Sequence, residues 1–149
     1  MDHAAVTGFV ALMTISGQAQ QLLKARMQDT TLSGLGPLHM HALCLCQQQP
    51  GAPQQALVQA LGRDKGQMAR LIRDLEDHGL LTRSTDERDR RVWRLYLTPQ
   101  GEARSTWFSA LEANVARDLM GHLSADDSAQ LTRMLHSVQA QLGALGSED

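Results

Sequence analysis

The side chains with the clearest chemistry crowd into one stretch. Nine of the 14 basic residues, Arg63, Lys65, Arg70, Arg73, Arg83, Arg88, Arg90, Arg91 and Arg94, fall between positions 63 and 94 of a 149-residue chain. Within it, Met68, Leu71, Ile72 and Leu75 recur at the i, i+3, i+4, i+7 spacing of one helix face. With that stripe turned to a core, a helix from Asp64 to His78 presents Gly66, Arg70, Arg73 and Asp77 outward, flanked by Gln67 and Asp74. Arginine can donate two parallel bonds to the major-groove edge of guanine, and glutamine can pair with adenine. Lys65, near the helix N-terminus, suits a phosphate. Further on, Asp86-Glu87-Arg88-Asp89-Arg90-Arg91 sets three acids against three arginines. Such a tip makes sense if Asp89 and Arg91 brace it. Arg88 and Arg90 then remain for DNA, with Arg90 shaped for a narrow, negative minor groove.

Charge alone does not carry this reading. Seven acids share the segment, leaving two net positive charges there, and the whole chain has a formal net charge of −2. Position has to make the case.

The flanking chain supplies elements to hold these residues. At 42 % hydrophobic and 20 % charged it has the composition of a globular protein, and with only 3 % aromatic residues its core suits packed helices. Val6, Phe9, Val10, Met13, Leu22 and Leu23 mark one long helix over 4–27. Thr30 to Gly36 reads as a polar connection, and Pro37 opens a second, central helix to about Gln49. Pro50-Gly51-Ala52-Pro53 reads as a break before a short helix from Gln54 to Leu61, which Gly62 ends. Asp64 and Gln67 form a capping-box-like pair at the next helix, which Gly79 stops. The apolar period then changes to 2. Leu81–Thr85 and a strand around Trp93, Leu95 and Leu97 read as a β-hairpin with the charged hexapeptide at its tip, and Trp93 as a core or strand-packing residue. Thr98-Pro99 opens a helix to about Leu123, and Ser124 with Asp127 caps a last one to about Gly143. The fold expected is therefore mainly α with a small β-hairpin wing, a winged helix-turn-helix with long terminal helices.

Three runs carry a family resemblance. They are Leu71-Ile72-Arg73-Asp74-Leu75-Glu76-Asp77-His78-Gly79-Leu80-Leu81-Thr82-Arg83, then Asp86 to Arg91, then Leu95-Tyr96-Leu97-Thr98-Pro99-Gln100-Gly101. In order and spacing they resemble the MarR (multiple antibiotic resistance regulator) signature: a recognition helix ending in LE..GL..R, a D-x-R-D-x-R wing, and an LT..G start to the following helix. Lys65 and Gly66 depart from the small hydroxylated or proline residues common at the start of that helix. The resemblance implies one MarR-like domain over 1–149, with a DNA-binding lobe at about 37–98 and dimerisation helices at about 4–27 and 99–143. It implies a homodimer on a pseudo-palindromic operator of double-stranded DNA, acting as a repressor relieved by a small-molecule, redox or metal signal. Leu111, Val115 and Leu119, with Leu131, Leu135, Val138 and Leu142, make the terminal helices too apolar to stand alone, and a second copy is the simplest cover. The alternative is a helical protein-interaction module that keeps a winged helix without sequence-specific DNA binding.

Other chemistry is weaker. His39, His41, Cys44 and Cys46 are metal-ligand types, but at 100° per residue they divide between two sides of one helix, so a single ion would need His78, His122 or His136. Buried reduced cysteines are the expectation, with no metal and no cofactor. No phosphate-cradling glycine loop, G-x-S-x-G or H-E-x-x-H is present, so no enzyme is expected. The absence of a long apolar run and of a secretory pattern predicts a cytoplasmic protein without membrane contact.

Overall fold

The computed structural model describes residues 2–28 and 33–146, so part of the expected Thr30–Gly36 connection, positions 30–32, lies outside the described residues. The chain divides into two compact units, Met1–Glu112 and Ala113–Asp149. The elements follow in the order α1 (His3–Arg26), α2 (Pro37–Gln48), β1 (Ala52–Pro53), α3 (Gln54–Leu61), α4 (Lys65–Asp77), β2 (Leu81–Thr85), β3 (Trp93–Leu97), α5 (Pro99–Met120) and α6 (Ala125–Gly146). No described helix is long and apolar enough to cross a membrane.

Helix boundaries follow local chemistry. Asp2 caps α1 by accepting from the N–H groups of Ala4 and Ala5 at 3.1 and 3.2 Å. Gly62 ends α3 in the left-handed conformation at φ 61°, and Gly79 follows α4 at φ 69°, positions where a Cβ would be strained. The Asp64 carboxylate accepts from the Gln67 N–H at 2.8 Å, which is one half of the expected capping box. Thr98 Oγ1 accepts from the Gly101 N–H at 3.1 Å and starts α5, which ends at Met120, short of the expected Leu123. Ser124 Oγ accepts from the Asp127 N–H at 3.1 Å and starts α6, which continues to Gly146.

The core of the first unit is built around α2. Met40, Ala42, Leu43 and Cys46 are buried, as expected for a central helix, and Leu57, Met68, Ile72, Leu75, Leu81, Leu95 and Phe108 join them. Ser105 is the one buried polar residue of this core among the described residues, and its hydroxyl donates to Gln47 Oε1 at 2.6 Å. Cys44 Sγ lies beside Ser109 Oγ at 3.6 Å and is only half-buried. Burial pushes the Cys46 thiol up to about 12. Alkylation of the folded protein at neutral pH, followed by mass spectrometry, is therefore expected to modify Cys44 alone, with Cys46 reacting only after denaturation. Modification of Cys46 at the rate of Cys44 would contradict this burial.

The sheet is larger than the hairpin read from the sequence. Its order is β1-β3-β2, and the segment expected as a mere break places Ala52 opposite Leu95 and Pro53 opposite Arg94. Two residues, one of them proline, give no alternation to detect, and proline is tolerated there because the strand is at an edge. Thr85 pairs with Trp93 and Leu81 with Leu97. Trp93 is a strand-packing residue and not a core one, for its ring is 40 % exposed and lies under the Arg83 guanidinium at 4.6 Å.

Candidate nucleic-acid interface

The stripe of Met68, Leu71, Ile72 and Leu75 is buried, so α4 can rotate in only one way, and its polar residues face out. Lys65, Gln67, Arg70 and Arg73 are all exposed, with no side-chain hydrogen bond or ion pair among the described residues. Gln67, Arg70 and Arg73 border a concavity of about 530 Å³ whose apolar floor includes Leu38 and Leu71. Arg63, from the turn between α3 and α4, reaches the same rim and was not among the residues selected from the sequence. Lys65 lies apart from these three, in a cleft on the side of the wing.

Asp74, expected on the flank of this face, is held from behind. Its carboxylate faces His39 Nε2 at 2.9 Å, and His39 Nδ1 accepts the Gly36 N–H at 3.0 Å. A nitrogen that accepts carries no proton, so Nε2 is the protonated one and donates to Asp74. The bond ties α4 to the start of α2 and engages an acid that would otherwise oppose the arginines. Reading α4 as an isolated wheel could not show it, because the partner lies 35 residues earlier. His41 in turn faces Glu112 at 2.8 Å. No group of three or more metal-ligating side chains occurs among the described residues.

In the wing, Asp89 receives Arg91 in a fork, with Nε at 3.1 Å and a terminal nitrogen at 3.3 Å. A second, unforeseen anchor sits at the base. Asp86 Oδ1 accepts from the Arg88 and Asp89 N–H groups at 2.7 and 3.3 Å, and Oδ2 receives the Arg94 guanidinium at 2.6 and 2.7 Å. Arg94 also donates to the Gly51 carbonyl at 2.9 Å, so the wing is pinned to the turn before β1. Counting only the hexapeptide missed this pairing. The strand alternation, which puts Arg94 on the face opposite Leu95, was its available signal. With Asp86 and Asp89 engaged, the exposed side chains of Arg88 and Arg90 have no partner among the described residues.

The wing should accordingly resist acid. The Arg88 N–H first, and then Arg94, hold the Asp86 carboxyl below its ordinary value of 3.8, and the Arg91 side chain does the same for Asp89. A lowered folded value means the contribution to stability is complete above 3.8 and disappears as pH falls through the lower value. Carboxyl NMR titration is expected to place both midpoints below 3.8, with loss of the Arg88 and Arg91 amide bonds at the same pH. Midpoints at or above that value would contradict the wing geometry.

Comparison with known proteins agrees with this architecture. The MarR family pattern matches residues 35–93, the span from the turn before α2 to the start of β3. A candidate transcriptional regulatory protein for the hcr operon of Thauera aromatica is 25 % identical over 139 residues, covering 93 % of this chain and 84 % of that protein. In fold, the chain is similar to Streptococcus pneumoniae FabT in complex with DNA, with a TM-score of 0.79, 18 % identity, and coverage of 97 % of this chain and 99 % of that one. It is also similar to the MepR–DNA complex of S. aureus, with a TM-score of 0.79, 22 % identity, and coverage of 89 % and 96 %. The reading helix, the braced wing and the family pattern thus fall on the same segment: residues 35–93 match the MarR family, and the chain as a whole has the winged helix-turn-helix fold of these DNA-bound neighbours.

Proposed function

We propose that this protein is a cytoplasmic, homodimeric repressor that binds a pseudo-palindromic operator, with α4 of each protomer in a major groove and each wing in the adjoining minor groove. The observation that carries the reading is the outward face of α4, where Gln67, Arg70 and Arg73 stand exposed and unpaired above a buried apolar stripe. Unpaired guanidiniums are costly to gather unless an anion or a base edge completes them. Lys65 supplies a phosphate contact, and Arg88 and Arg90 reach from the wing, while Asp89 and Arg91 hold its shape.

A dimer is supported by apolar surface on each unit. On α1, Val6, Phe9, Val10 and Met13 are half or more exposed, and on α6 the same holds for Met134, Val138, Leu142 and Leu145. Surface of this kind calls for a partner, and a two-fold copy also doubles the base contacts one helix can make. For the relieving signal, a cavity of about 570 Å³ between α1 and α2, bordered by Lys24, His39, His41 and Arg63, suits a small anionic molecule. Because His39 also holds Asp74, a ligand there can bias the orientation of α4, provided it prefers one of two orientations.

The decisive experiment is a mobility shift with the duplex flanking the protein's own gene, at two salt concentrations, beside an unrelated duplex. The expected result is a discrete complex of dimer stoichiometry, selective for the first duplex and weakening steeply with salt. Equal retention of both duplexes, or none, would favour the protein-interaction reading.

A further inference from the structure

His78, the C-cap of α4, sits between two carbonyl oxygens. Its Nδ1 faces Asp74 O, one turn back, at 2.8 Å, and its Nε2 faces Ser33 O at 3.1 Å. A carbonyl oxygen only accepts, so each contact needs a proton on the ring nitrogen. Neutral imidazole carries one such proton, and only the imidazolium carries both. The helix end favours the same charge. The last turn of α4 contains no basic residue, while Glu76 and Asp77 add acids where the dipole is already negative.

His39 holds the same joint in a different charge state. Its Nδ1 accepts the Gly36 N–H and so has no proton, and its Nε2 donates to the Asp74 carboxylate. Asp74 is therefore gripped twice, by His39 at its side chain and by His78 at its main-chain carbonyl. Both rings also reach the segment Ser33-Gly34-Leu35-Gly36, which leads into α2 and has no charged side chain. Around His39 stand Asp74 from α4, Lys24 from α1, His41 from α2 and Arg63 from the turn between α3 and α4. Next to His78, α4 supplies Asp74, whose carboxylate is taken by His39, and Asp77, while Arg83 of β2 is turned to Glu76 at 2.9 Å. Among the described residues, the two partners of the His78 ring are the two carbonyls.

We propose that His78 is a positioning residue for α4 that works as an imidazolium, so that operator binding takes up protons through it. This rests on the DNA-binding reading above and adds a regulatory input to it. With both ring protons in place, the C-terminal end of α4 is tied to the chain that leads into α2, and the helix meets the groove already fixed. A contact made only by the protonated ring is present on the acid side and lost as pH rises. Once one proton leaves, a ring lone pair faces a carbonyl lone pair and the longer contact, to Ser33, opens. The end of α4 then has to be ordered on binding, which weakens the complex. The bonds of His39 are made by the neutral ring and persist as pH rises. The clasp thus has one fixed arm and one arm worked by protons in the range, about pH 5 to 8, where histidine changes charge. Gly36 and His39 also border the cavity between α1 and α2, so protons and a ligand bound there act on one joint and are thermodynamically linked.

Two readouts on the full-length protein, both at constant ionic strength, test this. The Gly34 N–H shares a peptide group with Ser33 O, so its NMR shift reports that contact in the free protein. In the wild type it is expected to follow the titration of the His78 ring between about pH 5 and 8, and in His78→Arg, whose cationic donors persist, to stay constant. A wild-type Gly34 amide that ignores the His78 ring overturns the clasp. For binding to the duplex flanking the gene, wild-type affinity is expected to fall about threefold per half-site, or about tenfold for a dimer, across the same range. His78→Arg should hold the acid-side affinity at every pH, and His78→Gln, uncharged throughout, the alkaline-side affinity. The other histidines are intact in both variants. A variant that keeps the wild-type pH dependence therefore assigns it to them and overturns the proposal, as does His78→Arg binding no better than His78→Gln. If the wild type binds no duplex at any pH, the DNA-binding reading itself falls, whereas the Gly34 titration decides the clasp independently of DNA.

Discussion

Arg70→Ala and Arg73→Ala are each expected to cost about 1–3 kcal/mol of operator binding per half-site, or roughly fivefold to 150-fold, and to erase most of the discrimination between the operator and unrelated DNA. Both side chains are exposed and have no partner within the described residues, so truncation removes nothing from the folded protein. Thermal stability should remain within about 0.5 kcal/mol of the parent. That separation makes the experiment informative, because binding falls while folding does not. Arg90→Ala differs in kind: its loss should appear mainly at A·T-rich flanks, where the minor groove is narrow. Titration of each variant against operator and unrelated duplexes checks both statements. Three variants with unaltered selectivity would remove α4 and the wing from the interface.

The second large effect concerns stability. In Gly101→Ala the new Cβ would lie 1.9 Å from the backbone carbonyl oxygen of Leu80. No side-chain rotation relieves a clash with backbone. Leu80 O already accepts the Thr98 N–H at 3.1 Å, and Thr98 Oγ1 donates to Gly79 O at 2.6 Å, so the start of α5 is stapled to the turn that joins α4 to β2. Separating them disturbs the reading helix and the wing together. The expected cost is about 3 kcal/mol, which for a chain of this size lowers Tm by about 6–12 °C. Gly17→Ala is the contrasting case: nothing lies within 4 Å of its added Cβ, so it should leave Tm unchanged or raise it. Equal behaviour of the two variants in thermal denaturation would contradict the close packing at Gly101.

The two predictions differ in how far they could be read from the chain. Arg70 and Arg73 are legible because a helix has one period: once Met68, Leu71, Ile72 and Leu75 turn inward, the other residues must face out. The same logic placed the helices to within a few residues and found the strands on either side of the wing, since caps, glycines and alternation are local signals. Gly101 stood in the sequence only as a member of a motif. That its hydrogen is the largest substituent that fits opposite Leu80 is a fact of two segments meeting.

What the amino-acid order determined by itself was therefore periodic and local: which stretches are helix or strand, which faces are apolar, and which cations are left to face solvent. Contacts between distant segments were decided only by the tertiary structure. Ala52 and Pro53 gained a strand partner, Asp86 took Arg94 from β3, and Asp74 turned to His39 on α2. The reason is physical. Propensity and amphipathic period act over one or two helical turns, whereas the choice among several arginines for a given carboxylate depends on which backbone reaches it after the core has closed.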